Sequence, residues 1–285
     1  MAFKQVQTIR DNVSPHWVGD GFPVRTMFSY NEPGVDPFLL LDYAEPYKFA
    51  PSRGRPGVGE HPHKGFETVT IVFQGELEHR DSSGSHGKIG PGDVQWMTAA
   101  SGVVHEEFHS ERFAREGGMF EVAQLWVNLP AAAKKERPRY QELLAKNIPT
   151  VNMDGAAIRV IAGELAGTKG PARTVTPIQL LDIQLEANAN IELPIPAGYT
   201  AMLLVRNGNV KVNSEKQADG VSLLIFDRAG DEISLVTSAP AAAVLLAGQP
   251  IGEPVVGQGP FVMNTREEIR QAYSEYQSGA MGRLS

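Results

Sequence analysis

Runs of apolar residues separated by turn residues recur along most of the chain. The segment Phe66–Phe73 is β-branched and aromatic, which predicts a buried strand, and Gln74-Gly75 ends it. Asp93–Thr98 and Met119–Leu129 have similar patterns, and a glycine precedes each of them. Frequent short strands joined by turns predict a β-sandwich or a β-barrel.

The strand pattern is interrupted between residues 131 and 147 and then resumes. Lys, Glu, Arg and Pro dominate the interruption, and Tyr140, Leu143 and Leu144 have helical spacing, which predicts a short helix and an interdomain linker. Asn207-Gly208 lies between two later apolar runs and can supply the positive φ angles of a type I′ turn, so we expect a hairpin there. Further strands are expected at residues 157–162, 178–186, 200–205, 210–213, 221–226, 232–236 and 243–246.

The end of the chain has the pattern of an amphipathic helix. Thr265 and Glu268 form a capping-box sequence, in which each side chain can accept a hydrogen bond from the backbone N–H of the other residue. An apolar stripe with i, i+3, i+4 and i+7 spacing begins at Ile269, and Gly279 is expected to end the helix.

Chain length and these patterns together predict the domain organisation. At roughly 100–200 residues per domain, 285 residues are enough for two domains. We therefore predict an all-β chain in which residues 1–133 form a first domain and residues 150–285 form a second domain. The linker helix is expected at residues 134–149, and the closing helix is expected to belong to the second domain.

Composition and charge exclude several classes of protein. The formal net charge is −7 and no dense cluster of Lys and Arg occurs, so direct binding of nucleic acid is not expected. The chain has no cysteine, which excludes thiolate metal sites, disulfides and Cys nucleophiles. The N-terminus lacks the continuous apolar segment of a signal peptide, and no apolar run reaches about 18 residues, so no membrane span is expected. A cytoplasmic protein fits these features best.

All seven histidines lie at or before His109, and two closely spaced groups of residues are candidates for one site. His61-Pro62-His63 leads into the first apolar run, and His105-Glu106-Glu107 repeats the same alternate spacing. Alternate side chains of a strand point to the same face, so each pair can point into one cavity. Three imidazoles and one carboxylate suit a divalent transition ion such as iron, nickel, copper, manganese or zinc. An octahedral ion bound in this way keeps about two positions for water or substrate.

Other residues in this part of the chain could also contribute to the site. Glu67 is an alternative carboxylate, but Glu107 is preferred because it shares the parity of the preceding histidine. His109 shares that parity too and could line the cavity, although a surface or hydrogen-bonded role is expected. The histidines among polar or turn residues are expected at the surface: His16, His79 and His86.

Five stretches resemble the cupin superfamily and, more specifically, the pirin family. They are EHPHKGFETVT (60–70), GKIGPGDVQWMTA (87–99), SGVVHEE (101–107), QLWVNLP (124–130) and GPFVMNTREEI (259–269). They span most of the chain, and the combination is distinctive. The general cupin motifs are matched loosely, because Gly75 comes one residue late, and Ala100 and His109 replace the usual Pro and Asn.

The resemblance implies a fold, a metal site and a ligand set. The fold is a pair of cupin (jelly-roll) β-barrels packed face to face, with a metal ion only in the first barrel. In pirins the carboxylate ligand follows the third histidine by two residues, which gives His61, His63, His105 and Glu107 in this chain. We expect Fe(II) first, with Ni, Cu, Co, Mn or Zn as alternatives.

The resemblance also implies a function. Pirin-like proteins are associated with quercetin 2,3-dioxygenase activity, and eukaryotic members with the regulation of transcription factors. We expect a dioxygenase for an aromatic small molecule, a flavonol such as quercetin, with Glu107 as the catalytic base for the substrate hydroxyl. The alternatives are a non-enzymatic module that binds a regulatory protein partner, and a structural bicupin with a vestigial site. We expect a monomer that contacts neither nucleic acid nor membrane.

Overall fold

The computed structural model describes residues 2–30 and 32–284, and antiparallel β-strands dominate it. The first twelve strands are β1 (Val6–Arg10), β2 (His16–Val18), β3 (Phe22–Phe28), β4 (Phe38–Phe49), β5 (Gly57–His63), β6 (Phe66–Gln74), β7 (Leu77–Asp81), β8 (His86–Ile89), β9 (Val94–Thr98), β10 (Val103–His109), β11 (Gly118–Asn128) and β12 (Arg139–Leu143).

The remaining strands extend to the C-terminal helix. They are β13 (Thr150–Met153), β14 (Ala156–Ala162), β15 (Glu164–Leu165), β16 (Thr168–Lys169), β17 (Ile178–Leu185), β18 (Asn190–Pro194), β19 (Thr200–Asn207), β20 (Asn209–Val212), β21 (Lys216–Asp219), β22 (Ser222–Phe226), β23 (Glu232–Val236), β24 (Ala241–Gly248), β25 (Val256–Gln258) and β26 (Phe261–Met263). The helices are α1 (Glu111–Glu116) and α2 (Arg266–Gln277), with 3₁₀ turns at Ala133–Lys135 and Ala145–Asn147. No helix within residues 2–30 and 32–284 is long and apolar enough to cross a membrane.

The strands form two compact units. The N-terminal segment belongs to the unit built mainly from the second half of the chain, and the C-terminal segment belongs to the unit built mainly from the first half. The first barrel comprises Ser14–Ala145 and Ile251–Ser285, and the second barrel comprises Met1–Val13 and Lys146–Pro250. This division differs from the predicted one, which kept residues 1–13 with the first domain and the closing helix with the second. The difference arises because strand pairing and apolar packing, rather than chain order, decide where each terminal segment binds.

The two barrels have the same strand order. In the first, a seven-stranded sheet β12-β9-β6-β11-β4-β3-β2 is accompanied by a four-stranded sheet β5-β10-β7-β8. In the second, the corresponding sheets are β1-β22-β19-β24-β17-β14-β13 and β18-β23-β20-β21. Strand β1 therefore occupies in the second barrel the edge position that β12 occupies in the first. The predicted all-β fold of two barrels is confirmed.

The N-terminal segment is held to the second barrel by strand pairing and by a buried lysine. Strand β1 pairs antiparallel with β22. The ammonium group of Lys4, which is fully buried, donates hydrogen bonds to the carbonyl oxygens of Tyr199 at 3.1 Å and Arg228 at 3.0 Å. Lys4 is thus one of the residues that fix this segment in place.

Two local predictions were wrong. No α-helix forms at residues 134–149, where strand β12 lies between two 3₁₀ turns. The backbone of β12 pairs with β9, and the Tyr140 ring packs on an apolar cluster that includes Met97. The predicted hairpin at Asn207-Gly208 is absent as well: β19 pairs with β22 and β24, whereas β20 pairs with β21 and β23 of the other sheet. Gly208 has φ +76°, and a Cβ there would lie 2.6 Å from the Pro240 carbonyl oxygen, so this glycine lets the chain pass from one sheet to the other.

Helix α2 begins as predicted, with a capping box between Thr265 and Glu268. Its buried residues, Ile269 and Ala272, belong to an apolar cluster with Val104 of strand β10. The start of the apolar stripe is therefore covered by the first barrel, next to the strand that carries His105 and Glu107, whereas Tyr276 at the end of the stripe is exposed.

Lys134 fixes the C-terminal segment to the first barrel. Its side chain is buried, and its ammonium group donates hydrogen bonds to the Gly65 carbonyl at 2.8 Å, the Asn128 side-chain oxygen at 2.7 Å and the Val262 carbonyl at 2.8 Å. Burial lowers the pKa of Lys134 to about 8. Because one buried ammonium group donates to three acceptors, we infer that Lys134 stabilises the fold.

We expect Lys134→Met to lower the free energy of unfolding by about 3 kcal/mol, because three buried oxygen acceptors lose their donor while the apolar stem is preserved. The matched control is Lys135→Met at the neighbouring, exposed position, which should change it by less than about 0.5 kcal/mol. All three tryptophans lie in the first barrel, so urea unfolding followed by tryptophan fluorescence reports on this unit. Equal losses in the two variants would contradict the assignment.

Candidate metal centre

Strands β5 and β10 bring the predicted site residues together. They pair antiparallel, with His105 opposite His61 and Val103 opposite His63. Directly opposite residues lie on the same face of a sheet, so the three imidazoles share the interior of the first barrel. The ring centroids are 4.3 Å apart for His61 and His105, 4.9 Å for His63 and His105, and 4.8 Å for His61 and His63.

Backbone carbonyl groups orient the two imidazoles of β5. The Nδ1 atom of His61 lies 2.7 Å from the Gly59 carbonyl oxygen, and Nδ1 of His63 lies 3.4 Å from the Pro260 carbonyl oxygen. A carbonyl only accepts, so the proton of each ring belongs on Nδ1 and the lone pair on Nε2. The two rings are thus held in the tautomer that a metal ligand needs.

The imidazole of His105 is the most enclosed of the three. Burial, followed by the proximity of the other imidazoles, holds the pKa of His105 well below its ordinary value, and the same causes act on His63. The Nε2 atom of His105 is buried and has no hydrogen-bond partner among the described residues. A buried polar atom without a partner is costly, and a bound cation would satisfy it.

Glu107 is a buried carboxylate that two glutamines hold in place. Gln95 Nε2 donates to Oε1 at 2.7 Å, and Gln124 Nε2 donates to Oε2 at 2.9 Å. One oxygen of Glu107 lies within 4.8 Å of ring nitrogens of both His79 and His105. The sequence prediction missed both glutamines, although Gln124 lies opposite Thr70 on a strand whose alternate residues face the barrel interior.

A cavity of about 170 Å³ opens beside these residues. His61, which is half-buried, lies at the site, and the Asp42 carboxyl and Gln124 amide add polar groups to the wall. The apolar part of the wall consists of Val18, Phe22, Val24, Val58, Val122 and Trp126. Because an apolar cavity of about 150 Å³ holds benzene, this one has room for roughly one aromatic ring.

Glu67, the alternative carboxylate, lies on the other face of strand β6. It pairs with Thr98 and Val127, whereas Thr70 on the cavity side pairs with Gln124. Thr98 donates a hydrogen bond to Oε1 of Glu67 at 2.7 Å, and Oε2 has no partner among the described residues. Burial raises the pKa of Glu67 to about 7. The structure does not bring this carboxyl to the histidines.

The other histidines divide into exposed and buried ones. His16 and His86 are exposed, as predicted. The prediction of a surface position for His79 was wrong, because the residue is buried and its Nδ1 lies 3.3 Å from Nδ1 of His105. The alternate residues Leu77, His79 and Asp81 are all buried, and this parity is the signal that sequence reasoning overlooked.

His109 lies inside the first barrel. Its ring is surrounded by Phe22, Phe49, Phe113 and Phe120, with centroid distances between 4.6 and 6.4 Å. Its Nε2 atom has no hydrogen-bond partner among the described residues, and burial lowers its pKa to about 4. The expected surface position was therefore wrong, and His109 is part of the aromatic core rather than of the imidazole cluster.

Comparison with known proteins agrees with this fold and this arrangement of residues. The Pirin family model matches residues 21–127, and the Pirin C-terminal cupin domain model matches residues 180–282. A Pseudomonas aeruginosa protein named "Putative quercetin 2,3-dioxygenase" is 50% identical over 280 residues, which cover 97% of this chain and 98% of that protein. Human pirin is 37% identical over 273 residues, which cover 92% and 90% of the two chains. A crystal structure of quercetin 2,3-dioxygenase from Acinetobacter baumannii is 48% identical, with a TM-score of 0.96 over the whole of both chains.

We expect Glu67→Gln to stabilise the protein in a pH-dependent way. The carboxyl is protonated in both states below its ordinary pKa of 4.5, and between pH 4.5 and about 7 only the unfolded chain gives up the proton. Glu67 therefore destabilises the fold increasingly as the pH rises, and the penalty is complete above about pH 7. The variant should exceed the wild type by on the order of 2 kcal/mol at pH 8 and by nearly nothing at pH 4.5.

Urea unfolding at both pH values, with chelator present, measures this difference. The matched control is Glu136→Gln, which changes an exposed carboxylate of the same barrel and should have little effect at either pH. A difference between Glu67→Gln and wild type that does not vary with pH would contradict the raised pKa.

Proposed function

This chain belongs to the pirin family, and we propose that it is a metal-dependent dioxygenase for a flavonol such as quercetin. The observation that carries the proposal is that His61, His63 and Glu107 line one cavity of the first barrel. His105 has a ring nitrogen within 4.8 Å of ring nitrogens of His61 and His63 and also lies within that distance of a Glu107 oxygen. The proposed ligands are His61, His63, His105 and Glu107. The names of the relatives from Pseudomonas aeruginosa and Acinetobacter baumannii support the choice of reaction.

The residues fit a divalent transition ion. Neutral imidazoles and a carboxylate are the donors that such ions take, and the unpartnered Nε2 of His105 marks where a cation belongs. Fe(II) is the ion we propose, and Ni, Cu, Co, Mn or Zn suit the same donors because affinity for such a set does not select strongly. When bound, the ion supplies a Lewis acid that makes a substrate hydroxyl more acidic.

The size and the lining of the cavity suit an aromatic substrate with adjacent oxygen atoms. Its volume of about 170 Å³ accepts roughly one ring, so the ring bearing the 3-hydroxyl and the neighbouring carbonyl enters while the rest of a flavonol stays at the opening. The indole of Trp126, whose centroid is 5.1 Å from that of His63, forms an aromatic wall next to the site. These side chains exclude water from the reacting end of the substrate.

Glu107 is the proposed base for the 3-hydroxyl proton. A carboxylate has about four acceptor positions, and the hydrogen bond from Gln124 uses only one of those on Oε2. Gln95, which donates to Oε1, is itself fixed by a hydrogen bond from the Tyr140 hydroxyl at 3.2 Å. The carboxylate is therefore held at a set position while an acceptor site stays free for the substrate proton.

We expect Glu107→Gln to reduce flavonol turnover per bound metal by about 10²-fold or more, the usual scale for a lost general base. The carboxamide keeps one oxygen, so metal occupancy should fall only modestly. The side-chain nitrogen of the new glutamine cannot accept a hydrogen bond. We expect it to face Gln124, whose amide can turn over and present its oxygen, because the oxygen of Gln95 already accepts from Tyr140. Metal content and turnover are measured on the same preparations.

The matched control is Glu67→Gln, which changes a second buried carboxyl of the barrel on the far side of β6 and should leave turnover per bound metal nearly unchanged. Equal turnover per bound metal in Glu107→Gln and wild type would contradict the role of Glu107 as base. Absence of turnover in wild type loaded with each of Fe, Ni, Cu, Co and Mn would contradict the dioxygenase and favour the regulatory, protein-binding module.

A further inference from the structure

We propose that Asp81 and His79 form a hydrogen-bonded relay that fixes the tautomer of His105 and thereby keeps its Nε2 lone pair directed at the metal position. Both are positioning residues, since they act through His105. The inference rests on the proposed function, which makes His105 a metal ligand.

The three side chains form a continuous buried row. Asp81 lies directly opposite His105 in the pairing of β7 with β10, and His79 lies opposite Glu107. Asp81 Oδ2 is 3.1 Å from Nε2 of His79, and Nδ1 of His79 is 3.3 Å from Nδ1 of His105. Fractional exposure is 7% for Asp81, 4% for His79 and 0% for His105, so water does not compete for these contacts.

The donors and acceptors in this row permit one arrangement of protons when Asp81 is ionised. Oδ1 of Asp81 accepts hydrogen bonds from the Ser83 amide at 2.8 Å, the Ser83 hydroxyl at 2.6 Å and the Ser85 amide at 3.1 Å. Oδ2 can only accept as well, so Nε2 of His79 carries the proton and Nδ1 of His79 has the lone pair. Nδ1 of His105 must then donate, which leaves the lone pair of His105 on Nε2.

The position of His79 is itself fixed by strand β12. Its ring stacks on the ring of Tyr140, with centroids 4.9 Å apart and planes at 14°. The hydroxyl of the same tyrosine donates to Gln95, which in turn donates to Glu107. One tyrosine thus supports both residues that β10 contributes to the site.

His105 differs from the other two imidazoles in how its Nδ1 is held. His61 and His63 are oriented by the backbone carbonyls of Gly59 and Pro260, which side-chain substitution leaves in place. The support of His105 comes from a side chain, so point mutations can remove or reverse it.

Asp81→Asn should reverse the relay. The carboxamide oxygen keeps the Ser83 and Ser85 donors, and its NH₂ group then faces Nε2 of His79. That nitrogen must become an acceptor, which moves the His79 proton to Nδ1 and the His105 proton to Nε2. We expect the affinity for Co(II) to fall by about 10–100-fold, the scale of losses when the partner of a metal-ligating histidine is changed.

A second variant separates this effect from a merely structural one. His79→Phe keeps an aromatic ring against Tyr140 and removes the relay without reversing it, so it should weaken Co(II) binding less than Asp81→Asn. In the double variant, Asp81→Asn should add nothing to the effect of His79→Phe, because no imidazole is left at residue 79 to transmit the change. Asp93→Asn is the matched control: Asp93 also accepts backbone N–H groups, from Gly90 and Ala145, but contacts no histidine.

The direct readout is the tautomer of His105 in metal-free protein, measured by ¹⁵N NMR after histidine-selective labelling. The wild type should carry the His105 proton on Nδ1 and Asp81→Asn should carry it on Nε2. An Nε2 proton in the wild type, or additive losses of Co(II) affinity in the double variant, would overturn the proposal. Complete loss of Co(II) in His79→Phe would make His79 a ligand instead, in the second cluster that it forms with His105 and Glu107. Failure of wild type to bind Co(II) would count against the proposed function, while the tautomer measurement would still decide the relay.

Discussion

The pairing register of β5 with β10 is the constraint on which the site depends. Side chains alternate across a strand, so a slip of one residue would turn either pair of site residues to the opposite face of the sheet. With His105 opposite His61, every member of the proposed ligand set points into the barrel. The flanking strands then add what the site needs around it: β7 supplies His79, β9 supplies Gln95 and β11 supplies Gln124.

The second barrel shows what the same strand order produces with different side chains. Its strand β23 occupies the place of β10, and the interior residues of β23 are Ile233 and Leu235, part of an aliphatic core. In the first barrel the same face carries polar residues whose hydrogen bonds are supplied by neighbouring strands. The fold therefore does not by itself create the site, and the side chains that line each barrel decide whether it has one.

Much of this could be predicted from sequence because it depends on local patterns. Alternate spacing was enough to place His61 with His63 and His105 with Glu107, and apolar runs located most of the core strands. The contacts of His79 could not be predicted, because they depend on the register between β7 and β10. The destinations of β1 and α2 were missed for the same reason: each is set by contacts between residues more than 150 positions apart in the chain. Tyr140 was assigned to a helix because helical spacing over so few residues is a weak signal that pairing with β9 overrides.

The most direct test of this account is the location of the metal in the protein itself. Crystals of protein loaded with Fe(II) can be measured at the absorption edge of the metal, and the anomalous difference map locates every ordered ion. The account predicts one strong peak per chain, about 2 Å from Nε2 of His61, His63 and His105 and from a carboxylate oxygen of Glu107. A peak bound by His79 instead of His61 and His63, or a peak in the second barrel, would contradict it.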